Sequence, residues 1–364
     1  MTAMKRSPAR RAAIGLLLCI SAALAACAVQ TPGPTAAVRP GTVRSCLLVG
    51  EPCPTNFQFV QGLNGPARSV AAGGHGVWAL DDQGAVYRFD VGAGAFVQVP
   101  GSLAWLSVGG GNVVVPDEVW GGTADYQHLF RWNGSWQEMQ SPINDPIGFV
   151  AAGPGHNLNG CHLTEVWGLS LNGHPFRRNS CIGEWEPVLA PGPAQALTAI
   201  STGGGEVWGL DAQTNVYRFD GAAFQPVTGH LTSLAVGVDG VWGILGHPIV
   251  ATTSGTLARI GPGNLLFTPQ VFQYDPASKS LVQVPNAVMA QISAGGSGVW
   301  AVDQGLSVWR LQAVARKFAP LTNIALRSLS VGSGTGVWGI DQNYRIRAFV
   351  TPSILVGGGN AGYH

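Results

Sequence analysis

The sequence predicts an all-β fold assembled from one repeated unit, and three observations carry that prediction. A Gly-rich turn followed by Val-Trp recurs along the chain, with its tryptophan at Trp78, Trp120, Trp167, Trp208, Trp242, Trp300 and Trp338. A polar turn and an aromatic-Arg-aromatic run follow, most clearly in Gly73–Asp90 and Gly203–Asp220. Gly and Pro interrupt every long window, which favours short strands over helices. Units that recur in this way bury their apolar faces against one another.

Residues 1–26 are predicted to be a secretory signal outside the fold. Four basic residues lie between Lys5 and Arg11, and a mainly apolar run follows that is too short for a membrane span. The run ends in Leu24-Ala25-Ala26-Cys27, which resembles a bacterial lipobox. That resemblance implies an acylated Cys27 and a chain anchored in the cell envelope, at the outer membrane or the cell surface. The alternative is a simple cleaved signal.

The segment after the signal is predicted to be a spacer, and the charge balance excludes one class of partner. Residues 27–56 include the Pro-rich run Thr31–Ser45, which suits a linker between anchor and fold. Without residues 1–26, 16 basic residues face 19 acidic ones and no basic stripe remains. Nucleic acid is therefore not an expected partner. Residues 351–364 are predicted to be a flexible tail.

Four cysteines remain once Cys19 is removed with the signal and Cys27 is acylated: Cys46, Cys53, Cys161 and Cys181. In an exported protein they predict disulfides. Cys161 and Cys181 lie equally far from Leu171, beside a turn, so an antiparallel hairpin would place them opposite each other. A zinc site that uses the intervening histidines is the alternative, but zinc needs four converging ligands and His174 lies at the far end of the hairpin. No metal and no cofactor are expected.

Each unit divides into four short strands, a to d. Strand b carries the Val-Trp, strand c the aromatic-Arg-aromatic run, and strand d begins with a bulky residue. Four antiparallel strands repeated radially form a β-propeller blade. We predict seven blades over residues 57–350, with six as the alternative. Phe57–Gly62 matches strand d but precedes the first strand a, so we expect it to complete the last blade and remove the free edges.

Residues that recur in every unit are expected to pack between blades. This applies to the seven tryptophans. Recurring charged residues suggest Arg–Asp pairs that support turns, and these residues are Arg88, Arg131, Arg177, Arg218, Arg310 and Arg347 with Asp81, Asp211, Asp303 and Asp341.

Departures from the repeat indicate candidate binding residues. The b–c loop of the fifth unit is extended over Leu245–Gln270 and includes Arg259, while the a–b connections of the second and third units are lengthened. Insertions in repeat proteins often mark the binding face, and here both faces are candidates. Trp105 and Phe149 replace small residues, and Tyr126 and His128 lie in a polar turn. For these residues local packing is the alternative.

The repeat resembles the tectonin repeat. Leu103–Gly109, Gly203–Phe219 and Leu326–Gly339 carry the resemblance best, and the third and fifth units carry it least. Tectonin propellers include lectins that bind cell-surface glycans and intracellular scaffolding domains. The resemblance therefore implies a binding module, but fold alone does not assign function.

The sequence shows no Gly-x-Ser-x-Gly elbow, no His-Glu-x-x-His and no Walker phosphate loop. We therefore expect a non-enzymatic, monomeric module that recognises carbohydrate at the envelope. A scaffold that binds an envelope protein is the alternative. A hydrolase or lyase is a third reading, since blades could bring carboxylates together invisibly to sequence.

Overall fold

The computed structural model describes residues 57–112, 115–154, 164–179, 182–190, 196–246, 249–251, 257–259 and 268–349. Within these ranges every regular element is a β-strand, so the predicted all-β class is confirmed. No helix in this part of the chain could cross a membrane. The predicted signal (1–26), spacer (27–56) and tail (351–364) lie outside the described residues.

Antiparallel pairing connects the described strands, apart from one short inserted hairpin, in successive groups of four, which are labelled blades 1 to 7. Strand β1 (Phe57–Phe59) comes first. Blade 1 contains β2 (Ala67–Ala72), β3 (Val77–Asp81), β4 (Ala85–Asp90) and β5 (Ala95–Ser102). Blade 2 contains β6 (Trp105–Asn112), β7 (Val115–Gly122), β8 (Leu129–Trp132) and β9 (Trp136–Met139). Blade 3 contains β10 (Ile147–Pro154), β11 (Thr164–Ser170), β12 (Pro175–Asn179) and β13 (Glu184–Pro187).

The later blades follow the same order, with one insertion. Blade 4 contains β14 (Leu197–Gly203), β15 (Glu206–Asp211), β16 (Asn215–Phe219) and β17 (Phe224–His230). Blade 5 begins with β18 (Ser233–Gly237) and β19 (Gly240–Leu245), is interrupted by the hairpin β20 (Ile249–Ala251) and β21 (Leu257–Arg259), and continues with β22 (Gln270–Asp275) and β23 (Ser280–Val288). Blade 6 contains β24 (Gln291–Gly295), β25 (Gly298–Val302), β26 (Ser307–Gln312) and the first part of β27 (Lys317–Val331). Blade 7 contains the rest of β27, β28 (Val337–Asp341), β29 (Ile346–Phe349) and β1.

Strand β1 closes the ring, as predicted. It pairs antiparallel with β29, and Phe57 lies opposite Phe349 while Phe59 lies opposite Arg347. The first described strand thus becomes the outermost strand of the last blade. This pairing satisfies an edge that would otherwise be open.

The recurring tryptophans are interblade core residues, which confirms their predicted role. All seven are 5% exposed or less. Each ring meets aromatic residues from the outer strands of the next blade, at centroid distances of 4.6–6.3 Å. In ring order the partners are Trp132 and Trp136, Trp185, Phe219 and Phe224, Tyr274, Phe318, Phe57 and Phe349, and finally Phe89 and Phe96 of blade 1. The contacts run from each blade to the next and return to the first.

A glycine near the end of each inner strand lets the seven strands converge; these are Gly73, Gly109, Gly153, Gly203, Gly237, Gly295 and Gly332. A Cβ on Gly109 would lie 1.7 Å from the carbonyl oxygen of Ala152, and one on Gly203 would lie 2.1 Å from that of Val236. The neighbouring backbone occupies the space that any larger residue would need.

The recurring aspartates support turns, but most do not pair with the recurring arginines. Asp81 and Asp211 each accept hydrogen bonds from two backbone N–H groups of the b–c turn and from the tyrosine hydroxyl six residues on. Among the four aspartates named above, the predicted ion pair occurs at Asp341, whose Oδ2 lies 2.8 Å from Nη2 of Arg347. The Arg–Asp prediction is therefore wrong for the other three.

The strand register explains why these arginines do not reach the aspartates. Arg218 lies directly opposite Trp208, and Arg88 opposite Trp78, in the b–c ladder. Each guanidinium carbon consequently lies over its own blade's indole, at 6.0 and 5.8 Å from the ring. Arg218 also pairs with Glu206, two residues before its tryptophan, at 3.0 Å. The aspartate lies farther along the strand, at the turn.

Candidate functional site

The inner strands enclose a central cavity of about 250 Å³. Its described lining consists of Gly, Ala, Ser, Thr, Val, Leu and Ile residues. These side chains offer hydroxyl groups and apolar surface, with no ionisable group among them. The chemically varied side chains lie elsewhere, at the turns.

The b–c turns of six blades share one backbone geometry. In each, the third residue after the end of strand b, or its equivalent, has a φ between +58° and +82°. Its N–H donates to the carbonyl three residues earlier, at 3.0–3.2 Å. These b–c turn residues are Gly84, Tyr126, Gly173, Thr214, Leu306 and Tyr344. In blade 5 the chain between β19 and β22, with its hairpin, takes the place of this turn.

This geometry serves the joint between blades. The carbonyl of Gly84 accepts a hydrogen bond from Leu103 N–H, 2.9 Å away, at the entry to blade 2. The carbonyl of Tyr344 accepts one from Ala67 N–H, 2.8 Å away, at the seam between blades 7 and 1. The turn residues of blades 3, 4 and 6 make the same bond to the blade that follows. In these five turns the backbone is therefore held by the following blade, while the side chain varies.

Four of the six turn residues are not glycine, although the conformation favours glycine. A side chain in the left-handed region costs roughly 1–2 kcal/mol, and β-branched or bulky residues are outliers there. Four side chains at equivalent places on one face have this strained backbone: Tyr126, Thr214, Leu306 and Tyr344. Backbone strain retained in this way is a reason to look for function.

The blade 2 turn holds two of the sequence-predicted candidates, Tyr126 and His128. His128 Nδ1 lies 2.6 Å from Glu138 Oε1, and this hydrogen bond raises the pKa of His128. Asp125 accepts hydrogen bonds from the Thr123 hydroxyl at 2.5 Å and from a backbone N–H, and these bonds lower the pKa of Asp125. The turn thus carries a half-buried tyrosine directly after a hydrogen-bonded carboxylate.

The adjacent blade 3 turn carries a second polar group and two exposed aliphatic residues. Asp145 accepts from Asn172 at 2.9 Å and lies 2.7 Å from His174 Nδ1. Burial raises the pKa of Asp145, but the hydrogen bonds from His174, Ser170 and Asn172 outweigh it and the pKa is lowered. Ile143 is 90% exposed and Leu171 50% exposed beside this group.

The other predicted candidates either pack against each other or have side chains outside the described residues. Trp105 is 2% exposed and packs against Phe149 at a centroid distance of 5.9 Å, so packing describes Trp105. Phe149 is half-buried in the same contact. Arg259 ends β21, and its side chain lies outside the described residues. Cys27, Cys46, Cys53, Cys161 and Cys181 also lie outside them, so acylation and the disulfides stay predictions.

Sequence reasoning missed Tyr344, Thr214 and Leu306. The signal was present, because each stands three residues after the recurring aspartate that follows Val-Trp. An alignment of the units on that aspartate would have shown a position that alternates between Gly and bulky residues. As to metals, the described residues contain no group of three His, Cys, Asp or Glu side chains that could hold an ion.

The family comparison matches part of the repeat region. Residues 196–257 match the Tectonin domain. This tectonin match spans blade 4 and the start of blade 5, and it supports the resemblance drawn from the repeat. No curated protein matches the chain.

Several solved structures are similar in fold to this chain. YCF48 bound to D1 peptide has a TM-score of 0.54 at 11% identity, covering 81% of this chain and 95% of its own. Catalytically inactive virginiamycin B lyase from Staphylococcus aureus with quinupristin has a TM-score of 0.55 at 13% identity, covering 81% and 99%. The WD40 propeller domain of Doa1 has a TM-score of 0.51 at 10% identity, covering 82% and 98%. At these identities the comparisons show the propeller fold alone.

Proposed function

We propose that the protein is a non-enzymatic carbohydrate-binding propeller, held at the cell envelope by a lipid on Cys27. The observation that carries this proposal is the b–c turn face, where a shared turn backbone presents different side chains at one structural position. The propeller fold and the tectonin match support a binding module.

Tyr126 and Tyr344 give this face its carbohydrate-binding chemistry. An aromatic ring offers an apolar surface to the C–H face of a pyranose, and neighbouring carboxylates and amides bind its hydroxyls. Asp125, which directly precedes Tyr126, and Glu138, which binds His128 of the same turn, are such acceptors. Because the Tyr344 carbonyl is held by the N–H of Ala67 in blade 1, binding at the Tyr344 turn needs little ordering of the protein.

A glycan array probed with the full chain in detergent tests the proposal. Tyr126→Gly and Tyr344→Gly remove a ring but keep the turn, because Gly84 and Gly173 occupy the same place in blades 1 and 3. We expect binding to fall about tenfold or more in these variants, as loss of a stacked aromatic implies. Thr214→Gly is the matched control and should bind normally. Silence of the wild type on bacterial and eukaryotic glycans would reject the proposal.

The anchor is tested separately. Mass spectrometry of the purified full chain should show a diacyl or triacyl group on an N-terminal Cys27, and Cys27→Ser should release the protein from membranes. An unmodified mature chain that begins elsewhere would support the cleaved-signal alternative.

A protein-binding scaffold is the second candidate, favoured by the exposed aliphatic pair Ile143 and Leu171. The similar fold of YCF48 was solved with a bound peptide. The amount of partner protein that co-purifies from envelopes should then fall in the Ile143→Ser variant or when residues 246–269 are replaced by a short turn. Glycan binding should stay unchanged in both variants. Partners retained by both variants would count against the scaffold.

A further inference from the structure

The seam between blades 7 and 1 carries two arginines, one on each blade, at equivalent bulge positions. Four inner strands carry a register irregularity at the same place, with one residue left out of the ladder. The residues at this position are Arg68, Gly148, Thr198 and Arg327. The two cationic members belong to blades 1 and 7, which are neighbours because the ring closes.

The blade 7 turn residue Tyr344 contacts residues of both blades. The Arg327 guanidinium carbon lies 4.4 Å from the centroid of the Tyr344 ring. Tyr344 is 46% exposed and Arg327 is exposed, so solvent reaches both groups. The Tyr344 carbonyl accepts from the N–H of Ala67, the residue before Arg68. An exposed ring thus carries a guanidinium of its own blade and belongs to a turn whose backbone is bonded to the residue before Arg68 in blade 1.

The charges around this group leave it positive. Asp341 is engaged by Arg347, with Nε and Nη2 both 2.8 Å from Oδ2. Arg345 lies over Phe59 at 5.8 Å. In the described part of the chain, no ion pair within 4.0 Å engages Arg68, Arg327 or Arg345. The blade 1 turn contributes one exposed carboxylate, Asp82, whose N–H donates to Pro66 at 2.9 Å.

We infer that Tyr344, Arg327 and Arg68 form a subsite for a carboxylate-bearing sugar, a uronate. A guanidinium binds a carboxylate through two parallel N–H donors, and that of Arg327 stacks on Tyr344 without an ion-pair partner among the described residues. The Tyr344 ring supplies the apolar face for the pyranose. This inference rests on the proposed function and specifies its ligand class at one of the turns.

Titration calorimetry of the full chain with oligogalacturonate and its carboxyl-reduced counterpart tests the subsite. The uronate oligomer should bind at least about tenfold more tightly than the reduced one, since the difference is one charge-assisted bidentate contact. Arg327→Gln should remove that preference, and Arg327→Lys should restore it only in part. Arg316→Gln is the matched control, because Arg316 is an exposed arginine in a c–d turn, and should change nothing. Melting temperatures should match wild type for all three variants, because Arg327 and Arg316 are both exposed.

Each other outcome has a definite meaning. Equal affinity for both oligomers, or equal effects of Arg327→Gln and Arg316→Gln, overturns the subsite but leaves a neutral-glycan function standing. Inorganic phosphate that competes as well as the uronate overturns the sugar-acid assignment, because the site would then recognise charge alone. A chain that binds no glycan of either kind overturns both the subsite and the proposed function.

Discussion

Replacing Asp211 by Ala should destabilise the propeller, because this carboxylate organises the b–c turn of blade 4 from inside the protein. Asp211 is buried and accepts four hydrogen bonds, from Gln213 N–H at 2.9 Å, Asn215 N–H at 2.8 Å, Asn215 Nδ2 at 2.7 Å and Tyr217 Oη at 2.9 Å. The same turn carries Thr214, whose carbonyl holds blade 5 through Leu231.

The magnitude follows from which donors lose their partner. The Tyr217 hydroxyl is buried, and an unsatisfied buried donor costs about 1–3 kcal/mol. The two backbone N–H groups are partly buried and water replaces the carboxylate there, at a smaller cost. A total of about 3 kcal/mol corresponds to a melting temperature lower by roughly 5 °C for a domain of this size.

Thermal unfolding followed by near-ultraviolet circular dichroism measures the effect. Asp220→Ala is the matched control, because Asp220 accepts three hydrogen bonds in the same blade but is fully exposed. Water can replace all three, so this variant should melt close to wild type. If the two variants melt within about a degree of each other, burial of Asp211 is not what gives it its effect, and the reasoning fails.

The pH dependence supplies a second check. Burial raises the pKa of Asp211, but the hydrogen bonds from Asn215, Tyr217 and the turn N–H groups outweigh burial and lower it. A lowered pKa in the folded state means that the contribution is complete above the ordinary carboxyl pKa of about 4 and is lost as pH falls through the folded-state value. The stability difference between wild type and Asp211→Ala should therefore narrow in acid. A constant difference down to pH of about 2.5 would contradict this assignment.

Three further predictions concern the inner ring and the turns. Gly203→Ala should destabilise by about 1–3 kcal/mol in denaturant titration, since its Cβ would meet the Val236 carbonyl oxygen at 2.1 Å. Thr214→Gly should stabilise by up to about 1 kcal/mol, because φ is +67° there; a loss would show that the threonine is not strained. In an NMR titration, Glu138→Gln should lower the pKa of His128 towards its ordinary value, because the hydrogen bond to Glu138 raises it. The wild-type pair therefore stabilises below the ordinary histidine pKa, and the effect disappears as pH rises through the raised value.

Much of the fold could be predicted because the packing of this chain repeats. Burial of Trp208 and its six equivalents is required at every interface, so the same residue recurs at the same place and shows in the sequence. The closing strand was predictable for a related reason. Phe57 resembles the residues that begin strand d elsewhere, and its contacts with Trp300 and Phe349 are those of a strand d residue.

The partners of the recurring charges could not be read in this way. Which groups meet depends on register, and a shift of one residue places Arg218 over Trp208 instead of beside Asp211. The candidate site shows the same limit. An alignment on the recurring aspartate marks the position of Tyr344, but its left-handed backbone and the nearby Arg327 depend on tertiary structure.

The seam subsite and the closure of the ring depend on each other. Arg68 and Arg327 lie far apart in the chain, and their blades become neighbours where the ring closes. Phe57→Ser should weaken this closure by about 3–5 kcal/mol, the usual cost of removing a buried aromatic. Below the melting temperature of this variant, binding of uronate should fall more than binding at the blade 2 turn, which lies within the continuous chain. Equal losses of binding at both turns would show that the whole propeller is destabilised together. The seam would then not open separately from the rest of the ring.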